Sequence, residues 1–320
     1  MVHIKIADIS VSRGQVVSSQ TKSVMHTAEK EYRSTSTALS ENKCKKQGSK
    51  HNWHNTILLS LDAIQDLFLK TDLSGADMDM IVLSSQLPEY VSPATSAKIH
   101  NVIGGKKECI CYDVNSNGCG MTLAFDQISK YMTMSPHIKR ALLIGCDYMN
   151  IDTQNQGDAA CAVLLEKTDE ESGVCDALSI VSPDDTDSPL FPHCGFSNMF
   201  LIKDGNDMEF SIYKKKIFNV EALEESISTI LSRNSLTIEK INMFCFSQNS
   251  KEGLEVIRER MVIDKSASPY IGDVYGDTGT SSPFIALYEA MEKQLIRRGD
   301  YFMICAFGCS AQNITLLCRF

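Results

Sequence analysis

The sequence is poor in several things at once. With 8 Pro and 18 Gly in 320 residues it cannot be collagenous or a low-complexity linker. No apolar run reaches the ~18 residues a membrane-spanning helix needs. Basic residues are outnumbered, 31 Lys and Arg against 40 Asp and Glu, for a net charge of −9. A nucleic-acid binder or membrane-surface protein needs a basic field, so both classes are excluded. The seven histidines are His3, His26, His51, His54, His100, His137 and His193, so nothing beyond residue 193 supplies an imidazole. Val2 to Ile6 alternates apolar and polar residues like a strand and lacks the build of a secretion signal, and the protein is expected to be cytoplasmic.

Cysteine, by contrast, is plentiful at 12 residues. There is no Cys-x-x-Cys pair, and neither the Cys109/Cys111 nor the Cys305/Cys309 spacing is flanked in sequence by the partners of a zinc site, so no metal is expected. Most of the cysteines lie inside apolar runs and read as small core residues. His51-Asn52-Trp53-His54 lacks a carboxylate at a suitable offset and reads as a solvated loop.

Residues from about 13 to 50 are rich in Ser, Thr, Lys and Gln without a sustained apolar period. They read as a surface excursion with a short helix near Met25 to Tyr32. From Ile57 onward short apolar strands alternate with helical stretches. Strands are predicted at Met80–Ser84, Cys109–Val114, Ala141–Cys146, Cys161–Leu165, Met243–Phe246, Tyr301–Ala306 and Ile314–Cys318. Helices are predicted at Ser96–Ile103, Met121–Met132, Val220–Ser232, Gly253–Met261 and Pro283–Arg297. That rhythm is α/β. It also repeats: two strands end in Ser-Gln, at Ser85-Gln86 and Ser247-Gln248, and each is followed at similar spacing by a small-residue turn opening a helix, at Gly118-Cys119-Gly120 and Thr280-Ser281-Ser282. Two halves are expected, 1–175 and 176–320, each too thin to bury both faces of its sheet alone.

Specific strings sharpen this plan. They are Ser84-Ser85-Gln86-Leu87-Pro88-Glu89-Tyr90 with Pro93-Ala94-Thr95-Ser96, Asp113-Val114-Asn115 leading to Gly120-Met121, Gly157-Asp158-Ala159-Ala160-Cys161-Ala162, Tyr275-Gly276-Asp277-Thr278-Gly279 with Ser281, and Phe307-Gly308. In this order the sequence resembles the thiolase fold and, within it, the β-ketoacyl-ACP synthase III family. The resemblance implies a duplicated five-layer αβαβα fold, acyl-coenzyme A or acyl-carrier-protein phosphopantetheine as substrate with no tightly bound cofactor, and pairing of subunits through the strand Cys109–Val114.

It also implies a Cys nucleophile at a helix start, with a His and an Asn holding the malonyl thioester. Here the Cys position falls on Gly118, with Cys119 one place later; the His position falls on Ser247 and the Asn position on Asp277. A carboxylate at Asp277 repels a malonyl carboxylate instead of positioning it. The first expectation is therefore a non-condensing subunit of fatty-acid, polyketide or related secondary metabolism, acting as a homodimer or beside a ketosynthase-like partner. The alternative is an acyltransferase in which Cys119 carries the acyl group, Asp277 orients an amine or hydroxyl acceptor, Ser247 or Gln248 lends hydrogen bonds, and backbone N–H groups near Cys119 and Gly308 form the oxyanion hole. Lys214-Lys215-Lys216 and the Lys251, Arg258, Arg260 face are candidate contacts for an acidic acyl carrier protein.

Overall fold

A computed structural model describes residues 2–13, 55–148, 157–181, 192, 195–201, 219–308 and 312–320. The excursion after Arg13, its predicted short helix, the His51–His54 string and Lys214–Lys216 lie outside the described residues.

Two sheets carry the architecture. The first has the order β1 (His3–Arg13), β5 (Ala159–Thr168), β4 (Arg140–Asp147), β2 (Met80–Ser84) and β3 (Ile110–Val114). In it β2 runs parallel to β3 and β4, while β5 is antiparallel to β1 and β4. The second has the order β6 (Gly173–Val181), β9 (Gln312–Arg319), β8 (Tyr301–Phe307) and β7 (Ile241–Phe246), with only β7 and β8 parallel. Strand β2 is buried at every residue, as its unbroken apolar run requires of a strand covered on both faces.

Helices α1 (Thr56–Thr71) and α2 (Thr95–Val102) cover the outer face of the first sheet, and α4 (Val220–Arg233) and α5 (Lys251–Met261) that of the second. Between the sheets lie α3 (Gly120–Met134) and α6 (Ser282–Glu292), joined edge to face by Phe125 and Phe284 with ring centroids 5.8 Å apart. The result is the five-layer αβαβα arrangement expected. At three starts the N-cap residue's own side chain accepts a bond. Asn55 accepts from Leu58 N, Asn219 from Ala222 N and Ser250 from Gly253 N, which gives otherwise orphaned N–H groups a partner at α1, α4 and α5.

The sequence reading needs three corrections. The helix predicted to run to Arg297 stops at Glu292, because Gln294 turns left-handed (φ 53°) and Leu295 N bonds back to Ala290 O. Strand β6 was not anticipated; as an edge strand it keeps one face in solvent, so its apolar signal is diluted. The repeat is also unequal. Where the first sheet has β3, the second sheet's described residues offer only one backbone bond beside β7, Phe244 N donating to Ala267 O at 2.7 Å.

Candidate active site

The chain leaves β3, turns through residues 115–119 and enters α3. Asn117 makes the turn in the left-handed region (φ 49°). Four successive N–H groups, from Gly118 to Met121, are already engaged. Gly118 N donates to Asn117 Oδ1 (2.9 Å), Cys119 N to Ser116 O, Gly120 N to Asn117 O, and Met121 N to Thr280 Oγ1 (2.7 Å) from the opposite half. The N–H groups of Gly120 and Met121, at the N-terminal end of α3, are thus spent within the protein.

Cys119 is the N-cap of α3 and fully buried. Its Sγ lies 3.4 Å from Ala306 O and 3.5 Å from Gln312 O, at the β8–β9 connection. Two carbonyl oxygens accept a thiol proton, and both would turn their negative ends toward a thiolate. One residue of offset near a helix start rotates a side chain by ~100°. Here that rotation sends the sulfur into the middle layer.

The neighbouring position is filled differently. A Cβ added at Gly118 would lie 2.2 Å from Phe307 O and 3.3 Å from the carbonyl carbon. The end of β8 therefore occupies the space into which a side chain at Gly118 would project. That backbone is held on three sides: Phe307 N donates to Ser247 Oγ (3.0 Å), Gly308 N to Gln312 O (2.8 Å), and Ser247 N to Cys305 O. Gln248 is buried and turned inward. Its Nε2 donates to Phe246 O and its Oε1 accepts from Ile271 N, both at 2.8 Å.

Gly118, Cys119, Ser247 and Gly308 lie together at the end of β8. The N–H groups expected to form an oxyanion hole, those at the elbow and Gly308, are bonded internally. Asp277 is half-buried. Its Oδ1 accepts from Gly279 N (3.0 Å) and its carbonyl from Gly157 N.

Asp147, at the end of β4, was not singled out from the sequence, yet it ties the halves together. Its Oδ1 accepts from Gln86 N (2.7 Å) and Ser85 Oγ, and its Oδ2 from Gln86 Nε2 (2.7 Å) and Thr280 N (2.8 Å). Burial pushes its carboxyl up; hydrogen bonds from Thr280 and Gln86 oppose this, and the Asp277 charge adds to it. Gly279, left-handed at φ 60°, passes so close that a Cβ there would meet Asp147 Oδ2 at 2.1 Å. A charged residue closing an otherwise apolar strand was the available signal.

The basic face on α5 is largely neutralised. Lys251 pairs with Asp273 (2.7 Å), Arg260 with Glu221 and Glu224, and the buried Arg258 donates to Ser268. As a docking surface for an acidic partner it keeps little free charge.

Two sheets around a central helix pair, with a strand–elbow–helix junction buried between them, define a thiolase-fold protein. The family described as 3-oxoacyl-[acyl-carrier-protein] synthase III, C-terminal, matches residues 231–317. The sequence is 24% identical over 288 residues to β-ketoacyl-[acyl-carrier-protein] synthase III of Lactobacillus helveticus, covering 83% of this chain and 84% of that one. With the Clostridium perfringens protein of the same name it shares 25% over 268 residues, 79% of this chain and 81% of the relative. Among solved structures, a 3-oxoacyl-(acyl-carrier-protein) synthase III superposes with a TM-score of 0.80 at 16% identity, over 99% of this chain and 100% of that one. Xanthomonas campestris OleA, crystallised with lauric acid and lauroyl-CoA, gives 0.76 at 12% identity over 99% of both. Over most of its length the chain is thus similar to β-ketoacyl-ACP synthase III proteins, and it takes their fold.

Proposed function

We propose that this chain is a non-condensing synthase III relative, serving fatty-acid, polyketide or related secondary metabolism as a supporting subunit of a ketosynthase-like partner. The observation that carries this reading is the Phe307 carbonyl lying 2.2 Å from where a Cβ at Gly118 would project. Ser247 and Asp277 at the His and Asn positions agree with it, as does the internal use of the elbow N–H groups. Strand β3 is a sheet edge, half-buried throughout, and offers its outer side for pairing with a second copy or a related chain. The two halves, 1–175 and 176–320, are read as one co-folding unit, with acyl-coenzyme A or an acyl carrier protein as the thioester ligand class.

Acyl transfer through Cys119 is the second reading, favoured by that thiol's place at the N-cap of α3. It requires the Ala306 and Gln312 carbonyls to withdraw from the sulfur. Incubation with acyl-coenzyme A and acyl-carrier thioesters, followed by intact mass measurement, separates the two. The first reading expects no adduct, and co-purification with an active ketosynthase whose turnover depends on this chain. A stable acyl adduct abolished by Cys119→Ala overturns it.

A further inference from the structure

On the outer face of the first sheet, β3 and α2 lie side by side in opposite directions. Asp113 fixes their register: its Oδ2 accepts from Thr95 N (2.6 Å) and its Oδ1 from Ser96 N (2.9 Å), so a strand carboxylate caps the helix. Four residues of helix rise ~6 Å, and two residues of strand ~6.6 Å. Pairing Asp113 with Ser96 therefore brings His100 level with Cys111, and Cys109 is the next residue on that face. Cys109 and Cys111 both pack toward the outer core, whereas Ile110 and Tyr112 between and beyond them face the middle layer.

Potential ligand atoms of His100, Cys109 and Cys111 all lie within 4.8 Å of one another, and the two Sγ atoms are 4.0 Å apart. Tetrahedral zinc with Zn–S ≈ 2.3 Å and Zn–N ≈ 2.0 Å places its ligand atoms roughly 3.6–3.8 Å apart, so a closure of about 1 Å suffices. His100 Nε2 is 2.8 Å from Lys106 O. A carbonyl only accepts, so Nε2 carries the proton and Nδ1 keeps its lone pair, the outer-shell arrangement that orients a metal-binding imidazole. The Lys106 ammonium is directed to Asp79. All three side chains are half-buried, leaving a path from solvent.

We propose that His100, Cys109 and Cys111 form a site for a divalent cation of the zinc type, independent of the reading of the elbow. Two sulfurs and an imidazole suit zinc and not magnesium or calcium, which take oxygen ligands. The two thiols each release a proton to solvent on binding, the two thiolates offset the charge of the ion, and the fourth position is taken by water.

Titration of the reduced protein with cobalt(II), a spectroscopic substitute for zinc, tests this. One equivalent per chain should bring thiolate-to-cobalt charge-transfer absorption in the near ultraviolet and strong visible bands of tetrahedral geometry, both erased by zinc. Cys109→Ser/Cys111→Ser should abolish the charge-transfer band, and His100→Ala should weaken cobalt binding at least tenfold. Cys175→Ser, at an exposed cysteine away from the cluster, should change neither. Zinc should also raise the unfolding temperature of the native chain and leave the double variant unchanged. Absence of the band in the native protein, or its persistence in the double variant, overturns the proposal. The native titration stands even where a variant fails to fold.

Discussion

Replacing Gly118 with alanine tests the geometry at the elbow with a single methyl group. The added Cβ would meet Phe307 O at 2.2 Å, where uncrowded heavy atoms keep ~3.5 Å. The carbonyl must therefore retreat by about 1 Å. It cannot do so alone, because Phe307 N is tied to Ser247 Oγ, Gly308 N to Gln312 O, and the adjoining Ala306 O to Cys119 Sγ. Overpacking of a tight interior costs roughly 1–3 kcal/mol. Set against this is the stiffer unfolded chain, which favours alanine over glycine by ~0.4–1 kcal/mol. Gly118 is not among the residues with positive φ, so backbone strain does not enter. The expected net is a loss of about 1–2 kcal/mol, read as a lower urea midpoint at unchanged slope. In thermal unfolding each kcal/mol corresponds to ~2–4 °C for a domain of 150–250 residues. A variant as stable as the native chain, or more stable, would refute the claim that the end of β8 fills this space.

Other substitutions probe other joints. Thr280→Val removes the acceptor of Met121 N and the partner of Ser84 Oγ, and should cost roughly 1–3 kcal/mol in urea unfolding by stranding a buried N–H. Phe125→Ala, which opens the middle layer opposite Phe284, should cost about 3–5 kcal/mol by the same measurement. Burial raises the Asp79 carboxyl, but bonds from Lys106 and from the N–H groups of Arg140 and Lys139 outweigh it and hold its pKa below the usual carboxylate range. A depressed native pKa contributes stability above the unfolded value of ~3.9 and loses it as pH falls through the native one. Asp79→Asn should thus destabilise at pH 7 and converge on the native chain under acid; an offset constant with pH would contradict this.

Much of this architecture was legible because burial on two faces leaves a plain mark. Met80–Ser84 is apolar to its last residue but one and was placed to the residue. The helix starts at Asn219 and Ser250 carry their own caps, and there the sequence reading fell within two residues of the observed bounds. Edge strand β6 shows only half a signal. The site was legible in a narrower sense. Which residues stand at the elbow, after β7 and after β8 follows from the strings. What fills the space beside Gly118 does not, because the Phe307 carbonyl reaches it from nearly two hundred positions away. The His100, Cys109 and Cys111 cluster is hidden for a related reason: its spacing has meaning only once Asp113 sets helix against strand.

The bond from Met121 N to Thr280 Oγ1 also bears on the order of assembly. The first turn of α3 lacks one of its partners until a residue 159 positions later has arrived. The inner face of the first sheet, covered in part by α3, is likewise completed only when α6 and the second sheet close over it. Early stretches of the chain are thus committed to a junction that only late ones complete, a topology that folds slowly. Residues 1–175 expressed alone should expose apolar surface and aggregate, and adding 176–320 during refolding should rescue them. The elbow works as a latch that is closed from both sides.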